Sequence, residues 1–132
     1  LISGLFSLVE HDSDYEWSTS QVIAVSESYE RLEAYKAEKE AWLAIERAFK
    51  DELYDVANQC RKEEPSYDIS DSDEFMYQLT LWAHNILKPA YLEIYAKYGK
   101  EFPVEWDWIN ETHIRRLHNM RYEITQNEII LV

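Results

Sequence analysis

Four histidines, one cysteine and 26 acidic residues are the groups in this 132-residue chain best suited to chemistry, and their spacing decides which kinds. His113 and His118, with Glu111 nearby, come closest to a metal-ligand set. Five residues apart on a helix, the two rings point about 140° from each other, whereas a shared ion wants a spacing of three or four. Asp12, Asp14 and Glu16 open like a calcium loop, but Trp17 stands where the tight turn needs glycine and the downstream glutamate is missing. No metal is expected at either place. His84, next to Trp82, reads as a satisfied core or boundary histidine. The only glycines are Gly4 and Gly99, so no glycine-rich phosphate cradle can form. No serine lies in a nucleophile elbow, and a dispersed triad would leave no local signature. The chain is therefore expected to be no enzyme and to need no cofactor, with an undetected small hydrolase as the third-ranked alternative.

The acidic residues are more informative. Glu63, Glu64, Asp68, Asp71, Asp73 and Glu74 follow one another with no intervening base, and Glu101, Glu105, Asp107 and Glu111 form a second group. Solvated loops and helix N-termini account for much of such a pattern. The functional alternative is a docking face for a basic protein, with Tyr67, Phe102, Trp106 and Trp108 as aromatic anchors inside an acidic rim. Trp106 and Trp108 could equally plug the core.

Charge limits the partners. A formal net charge of -13 repels nucleic-acid backbones and suits a basic protein partner or simple solubility. The stretch from Glu27 to Glu64 mixes 11 acids with 7 bases, a poor imitation of a duplex. Aromatic content of 14% belongs to a folded chain, because disordered acidic chains are poor in aromatics. No apolar run approaches the roughly 20 residues needed to cross a bilayer, and Leu1-Ile2-Ser3-Gly4 lacks a signal-peptide pattern. Cys60, on the apolar side of a predicted helix, reads as a buried thiol in a reducing, cytoplasmic setting.

The elements that would position these groups are legible in outline. The length suits a single domain spanning 1–132. Strands are predicted at about 5–10 and 21–26, joined as an antiparallel hairpin through a long acidic tip, and at 121–132 with a bulge or turn at Thr125-Gln126-Asn127. Ser28 is a good N-cap for a helix over 29–62. Tyr35, Trp42, Phe49 and Val56 recur every seven residues, beside a row of Leu32, Leu53 and Cys60 interrupted by Lys39 and Glu46. A second stripe, Ala34, Ala37, Ala41, Ala44 and Ala48, lets another backbone approach. The helix is thus expected to be buried on two sides, with Glu33, Lys36, Glu40, Arg47, Lys50 and Asp51 on its solvated face. Pro65 ends it. Ser70, Asp71 or Ser72 caps a helix over 73–98, kinked or restarted at Pro89 and stopped at Gly99, and a shorter helix is predicted over 108–119. The fold class is α+β: a small antiparallel sheet of two N-terminal strands and one C-terminal strand, packed with a long helix and a helical insertion.

This order resembles small uncharacterised proteins of phages and mobile elements. The matching residues are Phe6-Ser7-Leu8-Val9-Glu10-His11, Gln21-Val22-Ile23-Ala24-Val25-Ser26-Glu27-Ser28, Tyr29-Glu30-Arg31-Leu32-Glu33-Ala34-Tyr35, Tyr122-Glu123-Ile124 and Glu128-Ile129-Ile130. They cover roughly a third of the chain, and Ala41 to Asn119 departs as an insertion. The resemblance implies a helix packed on a small antiparallel sheet and a protein acting by direct binding, since some proteins of this style inhibit bacterial defence systems, including CRISPR effectors. The leading expectation is a non-enzymatic, phage-encoded, anti-CRISPR-like inhibitor in the bacterial host cytoplasm, blocking a basic, nucleic-acid-handling host protein. The alternative is a structural or accessory protein that forms a homodimer through the long helix.

Overall fold

A computed structural model describes residues 2–66, 71–108 and 114–130, the side chains of residues 2, 3 and 127–130 excepted. Within it the chain runs β1 (Ile2–Asp14), β2 (Trp17–Ser26), α1 (Tyr29–Cys60), a 3-10 turn (Arg61–Glu63), α2 (Ser72–Trp82), a π turn (Ala83–Leu87), α3 (Lys88–Lys97) and β3 (Arg121–Ile130). The sheet is antiparallel in the order β2-β1-β3, so the α+β class holds. The described residues divide into two compact units, one of residues 1–47 and 117–132 and the other of residues 48–116.

In the first unit the hairpin is longer than its apolar pattern suggests. Pairing continues through His11↔Ser20, Asp12↔Thr19 and Ser13↔Ser18 to Asp14↔Trp17, which leaves Tyr15 and Glu16 as the tip in place of the expected ten-residue acidic loop. Backbone ladders do not need apolar side chains. Leu8↔Ala24 is followed by Val9↔Val22, so Ile23 is the extra residue of a bulge. The irregularity expected near Gln126 does not occur, for β1 and β3 pair without interruption from Ile2↔Ile130 to His11↔Arg121. One sheet face carries Phe6, Leu8, Tyr122 and Ile124 against Leu32 and Leu43 of α1, with Leu8 fully buried.

Helix α1 begins as expected, with the Ser28 hydroxyl accepting from the Arg31 amide at 3.3 Å. Its inner face is different from the expected one. Leu32, Leu43, Phe49, Leu53, Ala57 and Cys60 are buried, whereas Ala34, Ala37, Ala41, Ala44 and Ala48 are all exposed, as are Tyr35 and Trp42. The interrupted row is the inward one. Lys39 is half-buried there, and its ammonium sits over the Tyr35 and Trp42 rings, at 5.5 Å and 5.9 Å. Arg47, assigned by pattern to the solvated face, instead donates from Nε to the Leu117 carbonyl at 2.7 Å and from a terminal nitrogen to the Met120 carbonyl.

The second unit is helical. Asp71 caps α2, its Oδ1 accepting from the Glu74 amide at 3.0 Å. Ser70, the alternative cap, lies outside the described residues. Pro89 has no N–H to give the carbonyl of Asn85, and it stands in the first turn of α3, where that amide is not needed. The π turn precedes it, with the Lys88 amide reaching back to the Ala83 carbonyl. The wider turn gives the ring room against the preceding carbonyls. Gly99, at φ +62°, ends α3. Its amide donates to Ala96 at 3.1 Å and that of Lys100 to Tyr95 at 2.9 Å, the paired closure that needs a left-handed residue. Tyr91, Leu87 and Ala83 form the fully buried centre, joined by Phe49, Leu53, Cys60, Leu79, Trp82 and Ile94. The Trp82 indole donates to the Cys60 carbonyl at 2.8 Å. The helix expected over 108–119 is not found in its described C-terminal part: residues 114–117 have no regular structure and 118–119 form a turn. Ile114 is spent on the core and Leu117 on the sheet-side cluster.

Candidate functional site

Of the fourteen residues predicted to bind a partner, Tyr67, Asp68 and Glu111 lie outside the described residues, as does His113. Glu63, Glu64, Asp71, Asp73, Glu74, Glu101, Glu105 and Asp107 are exposed. The aromatic residues beside them serve the core. Phe102, Trp106 and Trp108 are half-buried and pack against the second unit's apolar cluster. Phe102 stands edge-on to Tyr95 at 5.1 Å and Trp106 edge-on to Tyr91 at 6.2 Å. His84, expected at the core boundary, is exposed, with its ring 5.8 Å from that of Trp106.

A different apolar surface adjoins the first acidic group. A groove of 340 Å³ is lined by Glu63, Pro65, Gln78, Leu81, Trp82, Asn85 and Ile86. Leu81 and Ile86 are 38% and 37% exposed, and Met76 and Tyr77 on the same helix are 46% and 58% exposed. One of the predicted acids, Glu63, lines this groove, and a second, Glu74, accepts from the amide of the lining residue Gln78 at 2.8 Å. Burial raises the Cys60 thiol above its ordinary range, and the charge of Glu63 adds to that. The thiol is thereby kept protonated and unreactive. The groove combines aliphatic wall and acidic rim, which suits side-chain docking better than bond-making chemistry.

The first unit holds a second cluster, on the sheet face opposite α1. Residues directly opposite across an antiparallel pair share a face, and His11 is paired with Ser20 on one side and Arg121 on the other. His11 Nδ1 lies 2.6 Å from Ser20 Oγ, and its Nε2 lies 3.5 Å from a carboxylate oxygen of Glu123. Arg121 donates to that same oxygen at 2.9 Å, and this bond holds the Glu123 carboxyl below its usual range. A pocket of 280 Å³ beside them is lined by His11, Asp12, Ser13, Ser18, Thr19, Ser20, Asn119 and Arg121. None of these was singled out for catalysis from sequence, since only strand register brings them together. The alternation of His11 and Ser13 against Ser18 and Ser20 is the one signal that could have pointed to a shared face.

Among the described residues no group of three or more His, Cys, Asp or Glu could hold a metal ion, and no helix is long and apolar enough to cross a membrane. No family model matches the chain, and neither a curated protein nor a solved structure does.

Proposed function

We propose that this protein acts by binding another protein, through the groove between the 3-10 turn and α2. The partner presents apolar side chains next to basic ones. The observation that carries this reading is the join of exposed Leu81 and Ile86 to Glu63 in one groove, with Glu74 bonded to the lining residue Gln78. Apolar side chains buried in such a groove supply affinity, and the acidic rim steers a basic partner and rejects acidic ones. The expected aromatic anchors are replaced by aliphatic ones. A nucleic-acid-handling host protein, blocked by an inhibitor of phage origin, is the narrower form of the proposal; the net charge of -13 supports it, because proteins that handle nucleic acid are basic where they do so.

The test compares wild-type protein with Leu81→Asp and Glu63→Lys as bait in a bacterial lysate at moderate salt. A partner captured by the wild type, lost with Leu81→Asp and weakened with Glu63→Lys as salt rises, is the expected result. An identical captured set for all three proteins would overturn the assignment of the groove.

A second reading has its own observation. The exposed Ala34, Ala37, Ala41, Ala44 and Ile45 of α1 form a surface of small and apolar residues on which a second copy could pack closely. Mass in solution decides it: a dimer converted to monomer by Ala41→Glu supports self-association, and a strict monomer at high concentration ends it.

A further inference from the structure

We infer that Ser20, His11 and Glu123 form a nucleophile, base and positioning acid for acyl transfer, with small carboxylic esters or thioesters as substrates. Neighbouring strands supply the three groups. Ser20 stands on β2, one of the two edge strands, exposed to incoming molecules; His11 stands on the central strand; Glu123 stands on β3, the other edge. The Ser20 hydroxyl and His11 Nδ1 are at hydrogen-bond distance, 2.6 Å. His11 Nε2 is buried and has no hydrogen-bond partner, and the Glu123 carboxylate 3.5 Å away acts on it through its charge, which favours the tautomer that carries its proton on Nε2. That leaves the Nδ1 lone pair free to accept the serine proton. The ring is turned over relative to the usual serine-hydrolase orientation, but the division of labour is the same. Arg121 fixes the carboxylate through its 2.9 Å bond and lines the adjoining pocket, where it is the cation available to a developing oxyanion.

The step balances without any co-reactant besides water. Ser20 Oγ attacks the carbonyl carbon as its proton passes to His11 Nδ1. The tetrahedral species then expels the alcohol or thiol, which leaves with that proton, and an acyl-serine remains. Water attacks it in turn, giving its proton to His11, and the collapse of the second tetrahedral species frees Ser20 and a carboxylic acid. The pocket volume of 280 Å³ and its hydroxyl-rich lining suit a short, polar acyl group such as acetyl. Long acyl chains have no apolar wall there.

The probes are p-nitrophenyl acetate and a fluorophosphonate, each added to the full chain, with the modified residue located by mass spectrometry. Ser20 is expected to gain one acyl or phosphonyl group, while Ser13 and Ser18, which line the same pocket, stay unmodified and serve as internal controls. Ser20→Ala abolishes labelling, and His11→Gln lowers its rate at least about 100-fold, the usual scale of general-base assistance. Glu123→Gln slows labelling without loss of the folded far-ultraviolet spectrum, and Glu123→Asp restores part of the rate, which a merely structural carboxylate would not do. Should Ser20 react no faster than Ser13 and Ser18, or should His11→Gln leave its rate unchanged in a folded protein, the assignment fails. The groove-binding reading is untouched by either outcome, because it depends on residues of the other unit.

Discussion

Arg47 offers the sharpest test of how the first unit is held together. Its guanidinium donates to the carbonyls of Leu117 and Met120, and so fixes the segment that delivers the chain into β3 at Arg121. Hydrogen bonds from a charged donor contribute about 1.5–3 kcal/mol when buried. Arg47 is half-buried, and water can replace part of what Arg47→Ala removes. We therefore expect a loss of about 2 kcal/mol for the pair. For a chain of this size that lowers Tm by roughly 6–10 °C. Lysine can reach one carbonyl but lacks the fork to hold both, so Arg47→Lys should lose about half as much. The assay is guanidinium denaturation of the three proteins with hydrogen exchange resolved by residue. Amides of Met120 to Ile124 should lose protection in Arg47→Ala, while those of Phe49 to Cys60 keep theirs. A midpoint change worth under about 0.5 kcal/mol, with β3 protection unaltered, would refute the reasoning and return Arg47 to the ordinary surface positions.

Two further predictions follow from the same geometry. Burial pushes the Tyr122 hydroxyl up to about 12, with the charge of Glu10 adding to the effect. A phenol whose folded value is raised contributes stability that is complete below its unfolded value near 10 and is lost as pH rises toward 12, up to about 2–3 kcal/mol. Tyr122→Phe should flatten that alkaline loss, which a pH series of urea midpoints will read. Asp71→Ala removes the cap of α2 and should cost about 1 kcal/mol, whereas Asp71→Asn should restore most of it. Equal stability of the Ala and Asn variants would deny the cap its role.

The local punctuation of this chain was determined by sequence alone. Ser28, Asp71 and Gly99 act where their short-range chemistry says they must, because capping depends on atoms within a few residues of one another. The α+β class followed from the same kind of signal, β-branched runs at both ends and a long stretch free of glycine and proline between them. The face that α1 buries was decided by tertiary structure. Tyr35 and Trp42 matched an apolar period yet remain exposed, and Lys39 lies half-buried on the inner side with its ammonium over those two rings, because the attraction of a cation to an aromatic face does not follow apolar periodicity. The candidate sites were hidden for a related reason. Phe102 reads from sequence as an anchor beside acids and Trp106 as either an anchor or a core plug; both rings are half-buried against the apolar cluster, where burial lowers their free energy. Ser20, His11 and Glu123 meet only because two strand registers are set by pairs such as Leu8↔Ala24 and Leu8↔Ile124. A one-residue slip would turn each of their side chains to the opposite face, so the alternation of His11 and Ser13 against Ser18 and Ser20 hints at a shared face but says nothing of Glu123.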